Sequence, residues 1–171
     1  MHLQGKKIFL RSVLPSDAAL LFRWENDRTN WQISRTKKPF TKQEIRNFII
    51  NQKDIYLDKQ LRLMIGLSSP RPSPTGRGSK GEVGCIDLFD FDQPNLKAGI
   101  GILIEKKYRR KGYASEALSL LIAYCFEILY LQELHCSITE GNEASIKLFR
   151  KHKFRITGKK KNVCSLRLVN Q

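Results

Sequence analysis

Residues 109 to 114 read Arg-Arg-Lys-Gly-Tyr-Ala, and their types and spacing suit the binding of a phosphate. They lie between an apolar, strand-like run, Ile100 to Glu105, and a long amphipathic helix pattern. A turn that opens onto a helix N-terminus presents backbone N–H groups and the positive end of the helix dipole to an anion. Gly112 has no Cβ and lets the backbone approach a ligand closely, and Lys106, Lys107, Arg109, Arg110 and Lys111 gather positive charge around the turn. Tyr113 and Ala114 then carry the chain into the helix, so this junction is a candidate phosphate site.

The elements that must position this turn can be read outward from it. Ala114, Ala117, Leu118, Leu121, Ile122, Cys125, Phe126 and Leu129 recur at steps of three and four, which predicts a helix with one apolar face. Upstream, Ile8 to Ser12 reads as a strand and Pro15 to Glu25 as a helix burying Ala18, Leu21, Phe22 and Trp24. Thr41-x-x-Glu44 is a capping box that opens a second helix running to about Asn51. Leu61 to Leu67, Glu82 to Phe91, Lys97 to Glu105 and Glu133 to Thr139 read as strands. A helix from Glu143 to His152 is capped by Asn142, and Phe154 to Thr157 with Val163 to Val169 close the chain as paired strands. Strands that alternate with helices predict an α/β (α+β) fold in a single domain spanning 1–171, with helices on both faces of a mixed sheet. The stretch 68–81 is dominated by Pro, Gly, Ser and Thr and is expected to be an inserted, flexible loop between two consecutive antiparallel strands.

The spacing Arg109-x-x-Gly112-x-Ala114 resembles the Q/R-x-x-G-x-G/A signature of the GCN5-related N-acetyltransferases, or GNAT superfamily. Glu140 to Phe154 resembles the same family's N-x-x-S/A-x-x-x-(Y/F)-x-K-x-G-F segment. The opening Phe9-Leu-Arg-Ser, Asp17 and Arg23-Trp-Glu-Asn-Asp27 is similar to the ribosomal-protein and polyamine acetyltransferase branch, so the resemblance covers about Ile8 to Gly158. It implies the GNAT fold, a mostly antiparallel central sheet flanked by helices. It also implies acetyl-CoA as co-substrate, no metal, and transfer of acetyl to a primary amine of a protein N-terminus, a polyamine or a small metabolite. The central strand is expected to splay from its neighbour after a bulge, so that Ile102, Leu103 and Ile104 offer backbone groups to the cofactor. Arg109, Arg110, Lys111, Gly112, Tyr113 and Ala114 would hold its diphosphate. Asn142, Ser145 and Phe149 would lie near its thiol arm, with Ser145 a candidate for stabilising the departing thiolate.

Two positions depart from the family pattern: Phe149 stands where many relatives place a Tyr general acid, and Lys153 stands where a Gly precedes the final Phe. A Glu early in the central strand is also absent, since that place holds Ala98-Gly99. Asp87, flanked by Ile86 and Leu88, is therefore the candidate to orient or deprotonate the amine, with Glu25 and Trp24 as further acceptor-binding residues. A catalytically lapsed acyl-CoA-binding module is an alternative reading.

Composition bounds these readings. Thirty-one basic residues against 16 acidic give a net charge of +15, which attracts polyanions; eight Lys/Arg and one acid lie between Gly141 and Lys161. CoA phosphates account for part of that excess, and RNA or the ribosome is an alternative partner, although no aromatic-rich RNA-reading motif accompanies the charge. No apolar run is long enough to span a membrane, and Met1 to Lys7 has no signal core, so a cytoplasmic monomer or homodimer is expected. Cys85, Cys125, Cys136 and Cys164 show no paired ligand spacing and read as reduced core residues.

Overall fold

Alternation along the central strands builds a sheet with two apolar faces. The computed structural model describes residues 1–34, 38–52, 54–68 and 81–170. Its strands are β1 (His2–Gln4), β2 (Ile8–Ser12), β3 (Leu61–Leu67), β4 (Glu82–Asp92), β5 (Lys97–Ile104), β6 (Glu133–Thr139), β7 (Arg155–Lys160) and β8 (Val163–Val169). They form one sheet in the order β1-β2-β3-β4-β5-β6-β8-β7, and every pairing is antiparallel except β5 with β6.

On β3, Leu63 and Ile65 point to one face and Met64 to the other; on β4, Ile86 and Leu88 alternate with Cys85 in the same way. The first face is covered by α5 (Tyr113–Ala123) through Ala117, Leu118 and Leu121, and by α6 (Glu143–Lys151) through Phe149. The second is covered by α1 (Ala18–Glu25) through Leu21 and Trp24, and by α3 (Lys42–Asn51) through Ile45 and Ile49. Between these helices lie α2 (Arg28–Ser34) and, after α3, the short α4 (Ile55–Asp58). The expected fold class, a mostly antiparallel sheet with helices on both faces, is the one found.

Local chemistry fixes several helix starts as expected. Thr41 Oγ1 accepts from Glu44 N at 3.1 Å while Thr41 N donates to Glu44 Oε2 at 2.7 Å, a complete capping box. The predicted helix 15–25 begins with a 3-10 turn, Pro15–Asp17, because Asp17 is drawn into a buried ion pair with Arg11 at 2.7 Å. The apolar stripe predicted through Leu129 is α-helical only to Ala123; Tyr124–Ile128 continues it as a π-type turn, with Leu129 N donating to Tyr124 O at 3.1 Å. Residues 69–80, most of the predicted inserted loop, lie outside the described residues. At its ends, Leu67 N donates to Gly81 O at 2.9 Å, and β3 and β4 pair antiparallel on either side of it.

Candidate active site

The parallel ladder of β5 and β6 runs from Lys97 opposite Glu133 to Gly99 opposite His135 and then ends. Beyond that point β5 stays paired only with β4 and β6 only with β8, as far as Ile104 and Thr139. The two strands therefore splay, and the edge of β5 that carries Ile102, Leu103 and Ile104 has no strand partner among the described residues. An unpaired strand edge is a template for an extended, amide-bearing ligand. The register slips once beside this region, between Phe89 and Asp92 on β4, with Asp90 at φ 50°. The irregularity thus sits on the neighbouring strand, opposite the start of β5.

Past β5 the chain makes a 3-10 turn, Lys106–Tyr108, and then reaches the N-terminus of α5. Arg110 lies at φ 62° and Gly112 at φ 86°, a left-handed conformation that glycine adopts without Cβ strain. Apart from Gly112's own chain neighbours, no heavy atom of the described residues stands within 4 Å of where a Gly112 Cβ would be, so the space there is open. Gly112 supplies no side-chain cap, and the first helical bond is Glu116 N to Gly112 O at 3.1 Å. The amides of Tyr113, Ala114 and Ser115 consequently have no partner among the described residues. Arg110 and Lys111 are exposed beside them, and the Lys107 and Lys111 ammonium groups lie 4.9 and 5.6 Å from the Tyr108 ring centroid.

Arg109 is placed differently from its neighbours. Its Nε donates to Ile104 O at 2.8 Å and its Nη2 to Asn30 Oδ1 at 3.1 Å, so two of its nitrogens brace the end of β5 and the α1–α2 corner. The start of α5 is also tied to the end of α6, where Ser115 Oγ and His152 Nε2 are 2.9 Å apart. Burial, with a smaller effect of Lys151, holds the His152 pKa below its ordinary value.

On α6, Asn142 Oδ1 accepts from Ser145 N at 3.2 Å, the predicted N-cap, and Ser145 is half-buried. Phe149 is 3% exposed and meets Phe154 edge-on at 5.0 Å between centroids, so its ring belongs to the core and has little surface to offer a ligand. Lys153, which replaces the family's glycine, takes φ 67°.

The second face of the sheet carries the acid cluster. Arg62 of β3 donates Nε to Asp87 Oδ1 at 2.7 Å and Nη2 to Asp87 Oδ2 at 2.8 Å, while its Nη1 donates to Glu25 Oε1 at 2.5 Å. Asp87 and Glu25, two separate candidates from the sequence, thus meet on one arginine. Two carboxylates against one guanidinium leave one negative charge, in a setting where the three side chains are 24, 13 and 18% exposed. Burial opposes the Arg62 charge, but Asp87 and then Glu25 outweigh it and raise its pKa further above the ordinary value. The Phe48 ring lies 5.0 Å from the guanidinium, and Gln52 fixes the strand through Arg62 N to Gln52 Oε1 at 2.7 Å.

Beside this cluster two glycines keep β5 bare. A Cβ on Gly99 would meet the Phe89 ring at 2.2 Å, whereas one on Gly101 would lie 3.7 Å from Phe89 and 3.9 Å from Asp87 Oδ2. Gly101 thus faces the Asp87 carboxylate without a side chain of its own between them. Trp24 is 3% exposed, and its indole nitrogen is buried without a hydrogen-bond partner among the described residues. It lines an open cavity of about 430 Å³ with Asp27, Asn30, Glu105, Lys106 and Lys107.

Arg62, Asn30 and the Ser115–His152 contact were not singled out from sequence. Arg62 did leave a signal, since one cation inside the apolar run 61–67 requires a buried partner. Cys85, Cys125 and Cys136 are buried free thiols, and burial raises their pKa, to about 12 for the latter two, which does not suit a nucleophile.

Residues 7–155 match the sequence model described as "Acetyltransferase (GNAT) domain". YdaF of Bacillus subtilis (strain 168), a ribosomal N-acetyltransferase by name, is 42% identical over 62 residues, 36% of this chain and 34% of that protein. The match therefore spans about a third of that relative. The SPbeta prophage-derived N-acetyltransferase YokL of the same organism is 24% identical over 159 residues, 93% of this chain and 82% of its own. Among solved structures, spermidine N-acetyltransferase from Vibrio cholerae in complex with CoA and spermine superposes with a TM-score of 0.81 at 16% identity, covering 96% of each chain.

Proposed function

Since the chain belongs to the acetyltransferase (GNAT) domain family, we propose that it transfers acetyl from acetyl-CoA to a primary amine by direct attack in a ternary complex. The observation that carries this reading is the splay of β5 from β6 after Gly99, leading directly to the uncapped N-terminus of α5. These two features suit the two ends of one cofactor. The strand edge at Ile102, Leu103 and Ile104, where Arg109 already holds the Ile104 carbonyl, matches its amide-bearing arm, and the amides of Tyr113, Ala114 and Ser115, with Gly112, Lys111 and Arg110, match its diphosphate.

Acetyl-CoA supplies an activated acyl group, so the chain must hold it, orient the amine and remove a proton. The Glu25–Arg62–Asp87 cluster would grip the ammonium form of the acceptor through its residual negative charge, with Trp24 closing the wall above it. An amine with a pKa near 10 must lose a proton before it attacks, and Asp87 is the candidate to receive it, directly or through water. Asn142 and Ser145 would stand by the sulfur as the C–S bond breaks. One residual charge suits a single ammonium head, such as a peptide α-amino group or a small monoamine, better than a polyamine. The four buried free cysteines fit a reducing compartment such as the cytoplasm.

A second reading, acyl-CoA binding without turnover, draws on Phe149, which is core-packed and carries no proton to donate. A free-thiol assay with acetyl-CoA and a panel of amines separates the two. Amine-dependent thiol release supports transfer, and binding with no release for any peptide, monoamine or polyamine supports the second reading.

A further inference from the structure

We infer that Asn30 is a positioning residue that couples occupancy of the diphosphate turn to the acceptor wall. Its side chain joins Arg109 to the α1–α2 corner by hydrogen bonds, and it is committed at both ends. Nδ2 donates to Trp24 O at 3.1 Å, and Oδ1 accepts from Arg109 Nη2 at 3.1 Å. Its backbone N–H is also held, by Asp27 O at 2.8 Å, and the residue is 6% exposed. From Arg109 the chain of contacts continues through Nε to Ile104 O, the last residue of the splayed strand.

The acceptor wall lies on the other side of Asn30. Trp24 and Glu25 close α1, and Glu25 carries the ion pair to Arg62; its carbonyl accepts from Trp31 Nε1 at 2.7 Å. The last turn of α1 is therefore capped by two successive residues of α2, and one of those caps reports directly to the phosphate turn.

Arg109 suits this relay because a guanidinium presents its donors in a rigid plane. Nε and Nη2 are spent on neutral oxygens, while Nη1 has no partner among the described residues and the side chain stays exposed. A phosphate drawn to the free edge fixes the plane, and the plane fixes Asn30. The corner has room to tighten, because no described residue accepts from the buried Trp24 indole N–H beside the cavity that lies between the corner and Glu105, Lys106 and Lys107.

The chain has two tryptophans, Trp24 and Trp31, and both sit at this corner, so intrinsic emission reads it without a label. The test titrates the full chain with coenzyme A, measuring affinity by calorimetry and tryptophan emission by red-edge excitation, in the wild type, Asn30→Ala and Asn30→Asp. Ala removes both contacts. Asp keeps an acceptor for Arg109 but loses the donor to Trp24 O, and it serves if the Ala variant does not fold. The expected result is a saturable emission change in the wild type that falls at least about fivefold in either variant, with CoA affinity kept within about threefold. A merely structural role would lower the melting temperature and leave the ligand-induced change intact. That outcome, or an unchanged wild-type emission at saturating CoA, would overturn the inference. The inference rests on the acetyltransferase reading, and a wild type that fails to bind CoA would overturn both together.

Discussion

Arg62 grips Asp87 through two parallel hydrogen bonds of 2.7 and 2.8 Å, and its remaining arm reaches Glu25 on α1. One guanidinium therefore joins β3, β4 and α1 at the place proposed for the acceptor amine. Bidentate pairing fixes angle as well as distance, so the position of Asp87 depends on Arg62 being an arginine.

Asp87→Asn is expected to lower kcat at least about tenfold while CoA affinity changes less than about twofold. Arg62→Met leaves two carboxylates uncompensated and is expected to cost about 1–3 kcal/mol, less than a fully buried pair because the cluster keeps some solvent contact. Steady-state kinetics and urea unfolding read the two effects; equal turnover in Asp87→Asn would remove that residue from the mechanism.

Gly112 separates cofactor binding from folding. Ala at φ 86° is strained by about 1–2 kcal/mol, so Gly112→Ala should lower the melting temperature slightly. Gly112→Trp adds bulk to space that is open in the folded chain, and the expected result is a folded protein without measurable CoA affinity.

Gly99 and Gly101 should respond oppositely to the same change. Gly99→Ala drives a methyl into the Phe89 ring and is expected to destabilise the protein by about 1–3 kcal/mol. Gly101→Ala meets only ordinary contacts, so stability should hold while the added methyl crowds the Asp87 carboxylate and the acceptor KM rises. Thermal melts combined with kinetics would test the contrast.

His135 and His152 both have pKa values held below the ordinary 6.5, chiefly by burial. A depressed imidazole pKa means that the unfolded chain binds the proton more tightly. The stability it contributes is complete above about pH 6.5 and is lost as pH falls toward the folded-state pKa. The melting temperature should fall between about pH 6.5 and 5, and His152→Gln with His135→Gln should flatten that slope; an unchanged slope would contradict the assignment.

Legibility in the sequence followed the range of the interactions. The strand–turn–helix at 100–123, the Thr41–Glu44 box and the Asn142 cap rest on contacts within a few residues, and all three stand as read. The splay was anticipated from family resemblance, but its start after Gly99 is set by strand pairing. Arg62 was missed because its partners lie 25 and 37 positions away, and Asn30 because Arg109 is 79 away. The helix α2, the short α4 and the edge strand β1 carry too few apolar residues at a fixed period to be recognised alone. Phe149 looked available to a ligand because its motif position gives no sign of Phe154 folding across it.

The most direct test of the central claim is a calorimetric titration of the purified chain with acetyl-CoA at low and moderate salt, with Gly112→Trp alongside. Saturable binding of one acetyl-CoA per chain that survives moderate salt and is lost in Gly112→Trp is the result expected for a built diphosphate site. No binding, or heat that vanishes with salt and is identical in both proteins, would show only diffuse attraction to a +15 surface and contradict the assignment of residues 109–114.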